Sequence, residues 1–448
     1  MSQRYDLAVI GTGPAGGLVA RLCAQSGQKV AVTDSNGYGG TCPLRGCEPK
    51  KVLVDAANAV ARVNQMTGNG LIPGAAIDWP ALQRFKRTFV DPTPGQVEES
   101  LKRAGVATLH GRARFVGPTA LEVEGRLLEA GKVVVAAGAE PARLDLPGRE
   151  LLAGSEDFLN LEKLPGSLIF VGGGYISFEL AHVSVRAGAR ATILHRSRRP
   201  LKGFDPDLVG LLLKACSEMG LEVVVEAQVT ALEREGEEIV VRTGPQGEKD
   251  FRAGMVVHGA GRRPALEGLD LEAAGVEATE KGIVVNEFYQ SVSNSRVYAA
   301  GDVIDRGYPL TPTAVMEAEA CAHNILKGNS KSGGYLAVPS VVFTDPPLAR
   351  VGLSQDRARE EGRQFRTAWA ETGDWDIFKR LGQRWTGYKV LIETNTDRIL
   401  GAHLLGHGAE EVINLFALAI RYGLTATQLK ETVCSYPSHG YELRHMLA

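Results

Sequence analysis

Cys42 and Cys47 are the residues of this chain with the clearest capacity for chemistry. They stand in Gly39-Gly40-Thr41-Cys42-Pro43-Leu44-Arg45-Gly46-Cys47-Glu48-Pro49-Lys50-Lys51, behind a glycine pair and ahead of a lysine pair. On a regular helix, rising ~1.5 Å per residue, the two cysteines would lie ~7.5 Å apart along the axis. A disulfide spans at most ~7 Å between Cα atoms. A bridge here must therefore distort the turn, which Pro43 and Gly46 permit. A strained disulfide is easily reduced and is more often catalytic than structural. The lysines and a nearby helix N-terminus would favour the thiolate. No second close Cys or His pair completes a metal site, so no metal is expected.

Glycine turns that could position this pair with a nucleotide occur twice. The apolar residues 7–10 read as a buried strand. Gly11-Thr12-Gly13-Pro14-Ala15-Gly16, a helical stretch and a second strand ending at Asp34 follow. This is a dinucleotide fingerprint: Gly11 turns the chain, Gly13 admits a pyrophosphate, Gly16 packs helix on strand, and Asp34 can accept a ribose hydroxyl. The pattern restarts at the strand 168–171, with Gly172-Gly173-Gly174-Tyr175-Ile176-Ser177, a helix over 178–187 and a strand over 191–195. No acid follows the second copy. His195-Arg196-Ser197-Arg198-Arg199-Pro200-Leu201-Lys202 offers cations where a ribose 2′-phosphate would lie, which predicts NADPH over NADH.

Between these copies, helical spacing predicts helices over 52–63 and 96–104, and an apolar run predicts a strand over 132–135 that ends near Gly138. Short strands are expected at 221–225, 238–242 and 255–258, before Gly261-Arg262-Arg263-Pro264. A strand reaching Ala300-Gly301-Asp302 delivers an acid, and a helix should run from Thr311 to 325. From about residue 334 the pattern becomes α+β: strands at 338–343, 387–393 and 398–405, then helices at 409–423 and 426–431.

The 448 residues are too many for one core, and the composition is that of a soluble globular protein. The net charge of -2 predicts neither nucleic acid nor an anionic membrane as partner. Apart from the one pair, the cysteines are scattered, unlike a secreted disulfide framework. The N-terminal residues show no signal segment and no run spans a bilayer, so a cytoplasmic protein is expected.

The ordered motifs resemble the two-dinucleotide-binding-domain flavoprotein disulfide reductases, the pyridine nucleotide-disulfide oxidoreductase family, which includes glutathione, trypanothione and mercuric reductases and dihydrolipoamide dehydrogenase. The resemblance runs from Tyr5 nearly to the C-terminus and includes Pro346-Pro347. It implies an α/β protein with two Rossmann-like domains, for FAD and NADPH, and a C-terminal α+β dimerisation domain. The expected segments are 1–148 and 266–333 for FAD, 149–265 for NADPH and 334–448 for the dimer. FAD would engage Gly11, Gly13, Gly16, Asp34, Gly40, Thr41, Lys51, Gly138, Asp302 and Thr311. NADPH would engage Gly172, Gly174, Tyr175, Glu179, Arg196, Arg198, Lys202 and Gly261. By position, Cys42 is the exposed interchange thiol and Cys47 the inner, charge-transfer thiol. Lys51 and Glu179 match an ion pair beside the flavin, and Tyr175 an aromatic gate. A homodimer with an active site shared between subunits is implied.

The C-terminal segment departs from the family. Its His-Pro-Thr-x-x-Glu, which supplies an acid/base dyad, reads Tyr436-Pro437-Ser438-His439-Gly440-Tyr441 here. A phenol with pKa ~10 is a poor proton shuttle beside an imidazole near ~6.5. Three readings stay open: Tyr436 as hydrogen-bond donor or metal-steering group, as a Tyr serves in mercuric reductases; His439 and Glu442 as a displaced dyad on one helix face; or no acid/base function. The cysteine pair that mercuric reductases carry near the C-terminus is represented only by Cys434. Arg21 falls at a glutathione-binding position, but Glu319 reverses the charge at another. The expected function is an NADPH-dependent disulfide reductase-like enzyme for a small disulfide or thiol-related acceptor. The alternatives are a metal-ion or quinone reductase, and a redox-sensing protein.

Overall fold

The strand predicted at 7–10 lies within Gln3–Ile10, flanked by Val30–Asp34 and Arg126–Val135 in parallel register. Val9, Val32, Val133 and Val134 are buried here, each adding ~1.5–3 kcal/mol of apolar burial. The structure, a computed structural model, describes residues 3–244 and 249–448. These form two units by packing. One takes the chain up to Lys50, Arg84–Ala142 and Arg262–Tyr335; the other takes Lys51–Gln83, Arg143–Gly261 and Leu336–Ala448.

In the first unit the sheet order is Ala107–His110, Val30–Asp34, Gln3–Ile10, Arg126–Val135, Ala120–Val123, Ala113–Phe115, with Val297–Ala299 also paired to Arg126–Val135. The helices Pro14–Gln25 and Thr311–Lys327 pack together through small buried residues such as Ala20, Ala318 and Cys321.

The second unit repeats the pattern. Its parallel sheet runs Glu222–Val224, Arg190–Leu194, Ser167–Val171, Met255–His258, Leu152–Ala153. A three-stranded antiparallel sheet, Gln228–Glu235, Glu238–Gly244 and Asp250–Ala253, is inserted before Met255–His258. The terminal α+β part is a five-stranded antiparallel sheet covered by Ala409–Tyr422. Residues 51–83 group with this unit because Leu53, Val54, Ala57 and Trp79 are buried in the same core as Phe158, Phe170 and Phe178. The helix Trp79–Val90 was not anticipated from the sequence. No helix among the described residues is long and apolar enough to cross a membrane.

Candidate active site

The thiol segment folds as a five-residue helix, Thr41–Arg45, a break at Gly46, and a long helix, Cys47–Met66. Cys42 thus lies in one first turn and Cys47 opens the next helix. The first turn of Thr311–Lys327 also reaches the pair: the Thr311 hydroxyl is 3.7 Å from Cys47 Sγ. Helix N-termini favour negative charge, so the surroundings select a thiolate. Both thiols are free in the structure. The Cys42 thiol donates to Cys47, which lowers Cys47 to about 6, with Thr311 and Lys50 acting in the same direction. That hydrogen bond, reinforced by burial, holds Cys42 well above the usual thiol range. One proton is shared by the pair and resides on Cys42. Exposure runs against expectation: Cys42 is half-buried and Cys47 exposed. An exposed sulfur flanked by helix N-termini suits a flat electron-accepting ring.

The first glycine turn backs onto this segment. A Cβ on Gly40 would lie 2.5 Å from the Gly13 Cα, and Gly40 has φ +73°. Gly16 packs as closely, its Cβ position 2.0 Å from the Gly11 carbonyl oxygen. A Cβ on Gly13 itself would meet only the Gly40 Cα at 3.8 Å, which leaves the backbone open to a pyrophosphate. Asp34 accepts from the Thr12 amide at 2.8 Å and the Thr12 hydroxyl at 2.6 Å, which fixes its carboxylate at the strand end. The half-buried Asp302 carboxyl is raised by burial, against the opposing effect of Arg262, and makes no hydrogen bond among the described residues. An acceptor so placed suits a polyhydroxyl chain. Gly138 lies at the end of the same sheet, beyond Arg126–Val135. Together these features fit FAD. Gly40→Ala combines a backbone clash with a left-handed strain of ~1–2 kcal/mol. It is expected to purify with well under one FAD per chain by flavin absorbance; full occupancy would refute this packing argument.

The second fingerprint turns in the same way. Gly172 would place a Cβ 2.5 Å from the Gly259 carbonyl oxygen, close to Gly261 in sequence. Gly174 caps the helix Tyr175–Arg186, whose first residue, Tyr175, is 49% exposed. Glu179, buried on that helix, accepts from the Phe343 amide at 2.8 Å. Lys51 pairs with Asp55 and lies over the Phe343 ring at 5.2 Å. Phe343, which the sequence did not single out, thus contacts both residues, Glu179 through its amide and Lys51 through its ring. Arg196, Arg198 and Lys202 are exposed and make no ion pair among the described residues.

A family model described as pyridine nucleotide-disulphide oxidoreductase matches residues 5–318, and that family's dimerisation domain matches 338–447. This chain belongs to the pyridine nucleotide-disulphide oxidoreductase family. A glutathione reductase from Nostoc sp. is 31% identical over 99% of both chains. A dihydrolipoyl dehydrogenase from Staphylococcus aureus is 32% identical over 97% of this chain and 94% of its own. A mercuric reductase from Bacillus cereus is 32% identical over 96% of this chain and 69% of its own. Among solved structures, a Cu(II) complex of the HOCl-induced flavoprotein disulfide reductase RclA from Escherichia coli superposes with TM-score 0.89 at 25% identity, over 99% of each chain. The family's members use FAD and NAD(P)H, and this chain is an oxidoreductase of the flavoprotein disulfide reductase type.

As a family member the chain forms a homodimer through its terminal domain, and an unburied apolar face is present there. Leu415, Leu418 and Tyr422 line one side of Ala409–Tyr422, and Val433 is 97% exposed. Tyr436, 75% exposed, meets the Tyr441 ring edge-on at 4.9 Å. The dyad reading of His439 and Glu442 is corrected in one respect. Both residues lie in turns ahead of the short helix Leu443–Met446, so they share no helix face. His439 instead turns inward onto Phe378 at 5.4 Å and His407 at 5.2 Å. Burial, with His407 adding, pushes it down to about 4. It is neutral at physiological pH and a weak base.

Sequence reasoning also missed Glu317. It is 1% exposed, accepts from the Gly301 amide at 2.7 Å and the Tyr335 hydroxyl at 2.8 Å, and is raised by burial to about 7. It thereby anchors the backbone beside Asp302. The available signal was a lone acid on the buried face of an alanine-rich helix.

Proposed function

We propose that this enzyme takes electrons from NADPH through FAD to the Cys42–Cys47 pair and passes them to a small disulfide or thiol-related acceptor. The observation that carries the reading is the asymmetry of the thiol pair beside Thr311. Bound FAD supplies two-electron transfer from the nicotinamide to the disulfide. Reduction of the Cys42–Cys47 bond consumes two electrons and one proton and yields Cys42 thiol and Cys47 thiolate, the charge distribution favoured by the helix N-termini and by the shared proton. The Cys42 sulfur then attacks one sulfur of the acceptor disulfide as its proton passes to Cys47, its hydrogen-bond partner; the acceptor S–S bond breaks and one thiolate leaves. Cys47, giving up that proton to the second product, then attacks Cys42 in the mixed disulfide, which re-forms the Cys42–Cys47 bond and releases the second thiol.

Gly11, Gly13 and Gly16, with Asp34, Gly40, Thr41, Gly138, Asp302 and Thr311, hold FAD. Gly172, Gly174 and Gly261 admit the NADPH pyrophosphate. Arg196, Arg198 and Lys202 bind the 2′-phosphate, and Tyr175 gates the nicotinamide. Lys51, whose ammonium pairs with Asp55, and the buried Glu179 stabilise charge on the flavin. At the exit, the exposed Tyr436 donates a hydrogen bond to the leaving thiolate across the dimer, while the inward-facing His439 does not take this part. The site functions in the cytoplasm.

Anaerobic titration with NADPH should produce long-wavelength thiolate–flavin absorbance. An acceptor panel of glutathione disulfide, other small disulfides, mercuric ion and quinones then names the substrate class. Absence of that band would sink the thiol mechanism, and NADH as the better donor would sink the basic-loop reading. Tyr436→Phe should lower disulfide turnover by ~10-fold, below the ~10²-fold floor of a full general acid, and leave flavin reduction by NADPH unchanged; equal turnover in both proteins would dismiss Tyr436.

A second reading, metal-ion reduction at the same thiols, is favoured by Tyr436 and by the mercuric reductase and Cu(II)-bound RclA relatives. Turnover of mercuric or cupric ion but not of any disulfide would establish it.

A further inference from the structure

His195 immediately follows the second strand, Arg190–Leu194, of the second fingerprint, where NAD-binding folds carry an acid for the ribose hydroxyls. Its ring nitrogens are both engaged elsewhere. The Gly173 amide donates to Nδ1 at 3.1 Å, so Nδ1 carries no proton. Nε2 must carry it, and it donates to the Arg199 carbonyl at 3.0 Å. One neutral tautomer therefore ties the glycine turn to the middle of the basic loop. The contact is tight: a Cβ on Gly173 would lie 2.7 Å from the imidazole and 2.8 Å from Pro200. The Leu201 amide completes the clasp on the Gly173 carbonyl at 2.8 Å. Burial lowers the imidazole's basicity, Lys202 and Arg196 lower it further, and the Arg199 carbonyl opposes them, so the bridging form persists at neutral pH. The clasp turns the Arg199 carbonyl inward and leaves Arg196, Arg198 and Lys202 exposed.

We infer that His195 is a specificity-determining positioning residue: its imidazole folds loop 196–202 against the second glycine turn so that the loop's cations meet a ribose 2′-phosphate. The inference rests on the NADPH reading above. It does not need His195 to touch the nucleotide, since neither ring nitrogen is free to do so.

The test is calorimetric binding of 2′,5′-ADP and 5′-AMP to the FAD-loaded enzyme. The wild type should bind 2′,5′-ADP more tightly. His195→Phe removes both ring hydrogen bonds and should weaken 2′,5′-ADP about tenfold, the effect of ~1.4 kcal/mol, while 5′-AMP changes by less than about twofold. His195→Asn retains an acceptor for Gly173 and should fall between; it carries the measurement if the Phe variant does not fold. A merely structural role would weaken both nucleotides equally, and that result overturns the inference. So does an unchanged preference in both variants. A wild type that binds the two nucleotides equally overturns the NADPH reading, and the inference with it.

Discussion

Cys42→Ser is expected to lower disulfide turnover by at least ~10³-fold, as loss of a catalytic nucleophile does, while reduction of quinones at the flavin largely survives. Serine cannot form or exchange a disulfide, but its hydroxyl still donates to Cys47, and Thr311 and Lys50 remain. The variant should therefore show permanent thiolate–flavin absorbance. Its pH dependence has a definite sign. Cys47 is lowered from the ordinary 9.0 to about 6 in the fold. The thiolate and its stabilising contacts are thus present above that value and lost as pH falls through about 6. Absorbance that titrates near 9 instead, or disulfide turnover that persists in the variant, would refute the assignment of the two sulfurs.

Lys389→Met is expected to destabilise the second unit by ~3–5 kcal/mol, as does removing one member of a buried ion pair. Lys389 lies on the strand Gly387–Glu393, buried up to Ile392, its side chain 4% exposed and that of Asp205 1%. The ammonium reaches both Asp205 oxygens, at 2.9 and 2.8 Å, and also Asp207. Asp205 in turn caps the helix Pro206–Glu218, accepting from the Asp207 and Leu208 amides. Methionine fills the volume but takes from Asp205 the ammonium that bonds both its oxygens. Asp205→Asn keeps the cap, since Asn caps as well as Asp, and removes the orphaned charge. The double variant should therefore recover part of the loss, a coupling that a double-mutant cycle in urea isolates. A Lys389→Met midpoint indistinguishable from wild type would show the pair to be energetically idle. The pair also anchors the chain just after Lys202, so the double variant provides a control for loop 196–202.

Chemistry carried by contiguous residues is legible in the chain itself. The two glycine turns, the Cys42–Cys47 spacing and the missing acid after the second strand each depend on neighbours within a few positions. Local backbone rules act over that range, so Gly46 as the break and Pro14 at a helix start follow directly from residue type. Helix 426–431 was placed to the residue, because Thr425 and Gln428 form a capping box within four residues.

What the sequence determined by itself was therefore the family, the cofactor turns and the identity of the thiols. Tertiary structure alone decided which groups surround them. Thr311 reaches Cys47 across 264 positions, Phe343 collects Glu179 across 164, and Lys389 meets Asp205 across 184. No periodicity encodes such contacts, because they arise where separate elements pack. His439 illustrates the same limit in reverse. Its spacing from Glu442 pointed to a helix face, but the chain turns there, and the ring packs inward against Phe378 and His407. The redox pair was legible because its chemistry is local; its proton and its surroundings were not, because they are set by elements folded in from far along the chain.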